Sequence, residues 1–224
     1  MSKIIDTING TALYLLSVIG YRTCRFQISG IENLEAALAR EKPLLMTSWH
    51  GMTMMLSPFI QKHFDMSNFV GLVPADWRGK TLEVFAHRLG AEPFSMNLDG
   101  DSTLTMGREL IKLIRKVKNG KNMLLHPDGP AGPAYVIKPG VTFIAQKAGA
   151  TLVPMGAYCR HAYRVPRWDL YTLPLPFSRI ALHIGKPIVI PPEKKNLDTL
   201  NHQLTDILNR MAAQAAANYY ELKP

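Results

Sequence analysis

Cysteine is scarce in this chain: 224 residues carry two, Cys24 and Cys159, far apart and without metal-type spacing. They argue for a reducing compartment over a disulfide framework. Long apolar runs are missing too. Nothing reaches the roughly 18 consecutive apolar residues of a membrane-spanning helix, and the longest candidate covers residues 11–21. Acidic side chains are few, 17 Asp plus Glu against 26 Lys plus Arg, leaving a formal net charge of +9. There is no GxSxG elbow, no GxxxxGK[ST] loop, no GxGxxG and no HExxH, which removes the support for the usual serine hydrolase, nucleotide hydrolase, dinucleotide and zinc-protease routes. None of the seven histidines pairs with Cys, His or a carboxylate at convincing ligand spacing, so no metal site is expected.

With 47% hydrophobic and 19% charged residues, the chain can build an ordinary core, and its length fits one large domain. The positive excess calls for a phosphate-bearing partner: nucleic acid, anionic lipid or a phosphorylated cofactor. Residues 4–21 read as a helix flanked by Lys3, Arg22 and Arg25. It either packs as a core helix or lies in a membrane surface with its basic end toward head groups.

A connecting stretch, RFQISGIENL, and a short helix to Arg40 come next, and then strands alternate with helices. Residues 43–49, 68–73, 91–96, 121–125 and 150–158 read as strands. Residues 51–63 and 78–89, a helix capped by Ser102, and residues 140–149 read as the helices between them. A proline-rich aromatic stretch, a strand pair around 179–190 and a last helix over 197–220 complete the chain. The alternation predicts an α/β fold, a mostly parallel central sheet flanked by helices, with an N-terminal amphipathic or apolar helix. Residues 1–29 are expected to form that helix and its connector, and residues 30–224 the α/β domain.

Two loops open onto one edge of such a sheet, where open α/β folds bind ligands. His50 follows the strand LLMTSW and precedes Gly51 at a helix start. That is a position for acid–base work, with free amide protons for an oxyanion. On position alone, a lone histidine beside Trp49 reads first as a packed, hydrogen-bonded core residue. The loop His126-Pro-Asp-Gly-Pro-Ala-Gly-Pro is rigid, with three prolines and two glycines. It reads either as a substrate wall or as a tight turn in which Asp128 bonds to backbone amides.

His50 in a Trp-His-Gly motif, the PDGPAGP loop at 127–133, the following VIKPGVTFIAQKAGATLVPMGA and the WDLYTLPLPFSRIALHIGKPI block together resemble the lysophospholipid acyltransferase superfamily. They are most similar to a bacterial branch with WHG and PDGPxGP motifs, over about residues 30–191. The resemblance implies transfer of a fatty acyl group from an acyl-CoA or acyl-ACP (acyl-carrier-protein) thioester to the hydroxyl of a lysophospholipid or related lipid. No cofactor beyond that cosubstrate is implied. His50 would be the general base. In the family's HxxxxD motif an aspartate orients the imidazole, but here the fifth position after His50 is Met55, and Ala131 stands where an arginine usually meets acceptor phosphate. Asp128 and Asp76, each just past a strand end, are the replacements expected to serve His50. Trp49, Gly51, His126, Gly129 and Pro130 are expected to contact substrate.

The resemblance also implies a peripheral or monotopic protein on the cytoplasmic face of the membrane. The partners would be the lipid surface, a lysolipid acceptor and the acyl donor, with Arg160, Arg164 and Arg167 favouring anionic lipid or coenzyme A phosphates. Nucleic acid is not expected, since no binding signature accompanies the charge. The alternative is a catalytically weak or inactive lipid-binding protein of the same fold.

Overall fold

A computed structural model of the chain describes residues 2–97, 103–194 and 196–221. The expected cap Ser102 lies outside the described residues. The central sheet has five strands, β1 (Arg25–Ser29), β2 (Leu44–Thr47), β5 (Met123–Leu125), β6 (Thr151–Tyr158) and β9 (Arg179–Ile184), in the order β1-β9-β6-β2-β5. Every neighbouring pair is parallel except β6 with β9. Beyond β5 lies a separate parallel pair, β3 (Val70–Pro74) with β4 (Glu92–Met96), joined toward β5 by the Phe69–Asn122 bridge. A small antiparallel pair, β7 (Ala162–Arg164) and β8 (Thr172–Pro174), folds out of the proline-rich stretch.

The helices are α1 (Ser2–Thr23), α2 (Ile31–Leu38), α3 (Thr53–His63), α4 (Trp77–Leu89), α5 (Thr103–Lys118), α6 (Gly140–Ala148) and α7 (Asp198–Glu221). They cover both faces of the sheet, as the alternation of β2 requires. Leu44 and Met46 point into one core with Leu56 and Phe59 of α3. Leu45, with Trp49 just past the strand, points into the other, against Leu113 of α5, Ile144 of α6 and Leu204 of α7. A strand buried on both faces reads as an unbroken apolar run, which is why LLM gave no period-2 signal.

Three expectations change. RFQIS is not a connector: it is edge strand β1, paired in register with β9 from Arg25↔Arg179 to Ser29↔His183. It looked irregular because polar residues interrupt its apolar ones and are satisfied only by the fold: Gln27 donates to the Asn218 carbonyl at 2.7 Å and Ser29 Oγ lies 2.8 Å from His183 Nδ1. The strand pair expected around 179–190 is one strand, β9, followed by a single bridge from Ile188 to Leu152. Last, α1 has 22 residues, and its stretch Lys3–Thr23 is long and apolar enough to cross a membrane by length and composition. Counting only consecutive apolar residues missed this, because its threonines fold back on their own helix. Thr7, Thr11 and Thr23 each donate to the carbonyl four residues earlier, at 2.8, 2.6 and 2.7 Å, which hides their polarity.

Candidate functional site

Parallel pairing of β2 with β5 brings the His50 and His126 loops side by side, their rings 5.4 Å apart in an edge-on contact. His50 opens a short 3-10 turn, His50–Met52, that leads into α3. Its ring Nδ1 lies 2.7 Å from Oδ2 of Asp169, whose side chain is only 1% exposed. A carboxylate can only accept, so Nδ1 carries the proton. In the neutral ring the lone pair then sits on Nε2, which has no hydrogen-bond partner among the described residues, and the ring lines the cavity described below.

Asp169 is held from a second side by Arg167, whose Nε donates to Oδ1 at 2.6 Å and Nη2 to Oδ2 at 2.7 Å, a bidentate clamp. Burial pushes the Asp169 carboxyl up, but the bonds from Arg167 and His50 outweigh it and hold the group below the usual carboxylate range. It is an anion at neutral pH. Arg167 also stacks on the Tyr171 ring, 4.8 Å from its centroid, a cation–π contact. Trp168 and Tyr171 flank the imidazole at 5.5 and 5.6 Å.

Two glycines make this approach possible. A Cβ on Gly51 would lie 2.1 Å from the Asp169 carbonyl oxygen, and one on Gly129 would lie 2.7 Å from His50 Cδ2. The glycine after the histidine thus admits the Asp169 backbone, and the glycine of the PDGP loop lets the loop lie against the imidazole.

The expected carboxylates sit elsewhere. Asp128 is buried, and its Oδ1 accepts from the backbone N–H of His50 at 2.9 Å, while Oδ2 faces the Tyr135 amide at 3.4 Å. It ties the two loops together, as in the tight-turn reading, and meets the His50 backbone, not the ring. Burial pushes its carboxyl up. Asp76 caps α4 by accepting from the Arg78 amide at 2.8 Å and pairs with the Arg78 guanidinium, whose hydrogen bond holds its carboxyl low. Among the described residues, neither carboxylate bonds to the His50 ring.

His126 is half-buried, at the wall of the cavity described below. Its Nδ1 donates to the Ser48 carbonyl at 3.0 Å and its Nε2 meets the Thr53 hydroxyl at 3.0 Å. Burial, with the neighbouring His50 second, lowers it to about 3, so it stays neutral. Trp49 is buried in the core, its indole N–H bonded to Asn209 at 3.1 Å and its ring edge-on to Tyr135, and Pro130 lines the cavity. Of the amides expected to serve an oxyanion, at the helix start after His50 and in the glycine-bearing loop, that of Met52 bonds to the Trp49 carbonyl at 3.0 Å, that of Gly129 to the His126 carbonyl at 3.2 Å and that of Gly132 to the Asp128 carbonyl at 3.1 Å. Met55 is packed in the core. Arg164 donates to the Cys159 carbonyl at 2.8 Å and Arg167 is committed to Asp169. Among the described residues, no group of three or more His, Cys, Asp or Glu is placed to hold a metal ion.

Beside His50 lies a cavity of about 610 Å³. It runs between β3, α3 and α4 and passes under Leu13 of α1, with walls of Met54, Ile60, Leu72, Val73 and Phe85. At one end His50, His126, Arg167 and Tyr171 converge. Burial pushes the Tyr171 phenol up to about 12, so this end holds no phenolate.

No family model matches the chain. Over 168 residues, 75% of its length and 74% of the other's, it is 27% identical to an uncharacterized protein of Rickettsia prowazekii (strain Madrid E). The crystal structure of a 1-acyl-sn-glycerophosphate (LPA) acyltransferase, PlsC, from Thermotoga maritima superposes with a TM-score of 0.63 at 15% identity, covering 96% of this chain and 81% of that one. The likeness is one of fold.

Proposed function

We propose that the protein is an O-acyltransferase moving a fatty acyl group from a coenzyme A or acyl-carrier-protein thioester to the hydroxyl of a lysophospholipid or related lipid. One observation carries the reading: a histidine with its Nδ1–H on a buried aspartate at 2.7 Å, in the polar end of an apolar cavity of about 610 Å³. The shared fold with PlsC supports it.

A hydroxyl attacks a thioester poorly until its proton is removed, and a neutral imidazole does this near physiological pH. Nε2 of His50 takes the acceptor proton as the oxygen bonds to the thioester carbon. The tetrahedral oxyanion then collapses, the C–S bond breaks, and the thiolate leaves with the proton from the imidazolium. Asp169 fixes the required tautomer and stabilises the imidazolium, while Arg167 holds Asp169 in place. Asp128 sets the His50 backbone, and the apolar cavity takes an acyl chain. The division into an N-terminal membrane-associating element, 1–29, and an acyltransferase-like domain, 30–224, belongs to this reading, with β1 supplied to the sheet from the first part. So does a peripheral or monotopic place on the cytoplasmic membrane face.

The test is to give purified protein isotopically labelled acyl-CoA and acyl-ACP with a panel of lysolipids and identify products by mass spectrometry. A labelled diacyl product supports the reading. A lipid retained in the cavity without turnover on any donor would instead support a binding protein of the same fold.

A further inference from the structure

Helix α1 is inside out. A helix on a water-soluble domain turns its apolar stripe inward, but α1 presents Gly10, Ser17 and Gly20 to its neighbours. A Cβ on Gly10 would lie 2.5 Å from the Thr81 carbonyl oxygen and one on Gly20 3.1 Å from Pro58. Ser17 Oγ is 3.2 Å from Ser57 Oγ. The single acid of the helix, Asp6, also turns inward, 3.3 Å from the Thr81 hydroxyl. Ile4, Ile5, Ile8, Leu15, Leu16 and Ile19 are left 39–66% exposed. At 3.6 residues per turn these six share an arc of about 120°.

The loop that meets the end of α1 continues this surface. Phe177 is 79% exposed and Leu175 50% exposed. The Phe177 amide donates to Thr23 Oγ1 at 3.3 Å, Cys24 Sγ donates to the Leu175 carbonyl at 3.6 Å, and the Arg25 amide donates to the Ser178 carbonyl at 2.9 Å. Phe177 has φ +64, a left-handed conformation that costs a bulky residue energy. That cost returns no burial within the molecule. Exposed Lys3, Arg22 and Arg25 flank the apolar arc at both ends. This suits a surface of negative head groups and is unfavourable for a second copy carrying the same +9 charge.

We infer that the Leu175–Phe177 loop is a further lipid-insertion element, set beside the outward arc of α1, whose occupant is an anionic bilayer. The helix lies along the membrane with its basic ends at head-group level, and the Leu175–Phe177 loop enters as a second, separate wedge. Because the cavity runs beneath Leu13 of α1, this places its apolar interior next to the lipid phase. The inference deepens the membrane placement in the proposed function, but binding is read without turnover. Failure to bind and failure to transfer acyl groups are therefore separate results.

The test is co-sedimentation of the full chain with phosphatidylcholine vesicles, with and without phosphatidylglycerol, beside sedimentation velocity of the free protein. Phe177→Asn suits the experiment because asparagine tolerates the left-handed region, so folding is preserved. Leu175→Ser provides a second variant on the same loop. Wild type is expected to bind phosphatidylglycerol vesicles more tightly than phosphatidylcholine alone and to weaken as salt rises. Each loop variant should lose about tenfold in affinity, the scale of withdrawing one large apolar side chain from lipid, with its melting temperature kept. Wild-type affinity in both folded variants, no wild-type binding, or a dimer that Phe177→Asn dissociates would overturn the inference.

Discussion

Replacing Asp169 by asparagine tests the dyad with almost no change of shape. Arg167 gives Nε–H to Oδ1 and Nη2–H to Oδ2, and His50 gives Nδ1–H to the same Oδ2. The asparagine amide has one acceptor and one two-proton donor where three donors converge. Its oxygen goes to the permanently charged guanidinium, and its NH₂ group then faces Nδ1. The imidazole must answer with a lone pair there, which moves its proton to Nε2 and leaves it unable to take a proton from an acceptor hydroxyl. A wrong tautomer in a comparable histidine–aspartate pair costs about 10⁴ in rate, or about 5.5 kcal/mol of transition-state stabilisation. The expected result for Asp169→Asn is a kcat reduced by roughly 10³ to 10⁴ in the labelled-acyl transfer assay, with KM for both substrates little changed. Circular dichroism should match wild type. A folded Asp169→Asn protein within about tenfold of the wild-type kcat would refute the assignment of Asp169 as the orienting acid.

Gly129→Ala places a methyl 2.7 Å from His50 Cδ2, so the ring must shift; we expect a fall of at least about tenfold in kcat with a stability loss of about 1–3 kcal/mol, read by kinetics and urea melts. His126 stays neutral down to about 3 in the fold while an unfolded histidine protonates near about 6.5. The unfolded state therefore binds the extra proton between those values, and stability falls with acidification by about 1.4 kcal/mol per pH unit. His126→Gln should flatten that slope in urea unfolding from about pH 6.5 toward about 4, and an unchanged slope would contradict the half-buried neutral ring. Gly71 lines the cavity, and a Cβ there would make an ordinary contact with Ala86 Cβ at 3.8 Å. Gly71→Leu should move donor preference to shorter acyl chains, by about 0.8 kcal/mol for each methylene it displaces, as measured by competition between donors of different length.

The fold was legible where burial dictates composition. Strands β2 and β6, buried on both sides, are unbroken apolar runs, and α4 and α6 end at Gly90 and Gly149 with φ +86 and +65. The expected helix starts and strand ends of this region lie close to those observed. β1 and α1 were less legible, since polar residues on an edge strand and threonines that bond their own helix both mask the pattern. At the site, His50 and the PDGP loop stood out because each follows a parallel strand, and that adjacency is set by topology. Asp169 did not stand out. It lies 119 residues from His50, outside any strand or helix, in the proline-rich aromatic stretch before the last strands. Pairing across such a loop depends on the tertiary path that brings its backbone over Gly51, which local spacing does not encode. Its signal was the Trp-Asp pair within the WDLYTLPLPF block, placed beside an arginine two residues earlier.

Whether His50 is the base that drives acyl transfer is decided by single-turnover transfer of a labelled acyl group from thioester to lysolipid, with wild type and His50→Ala at equal concentration. Wild type is expected to give labelled diacyl lipid, and His50→Ala a rate lower by at least about 10³, the scale of losing a positioned general base. Equal transfer by the two proteins would remove His50 from that role.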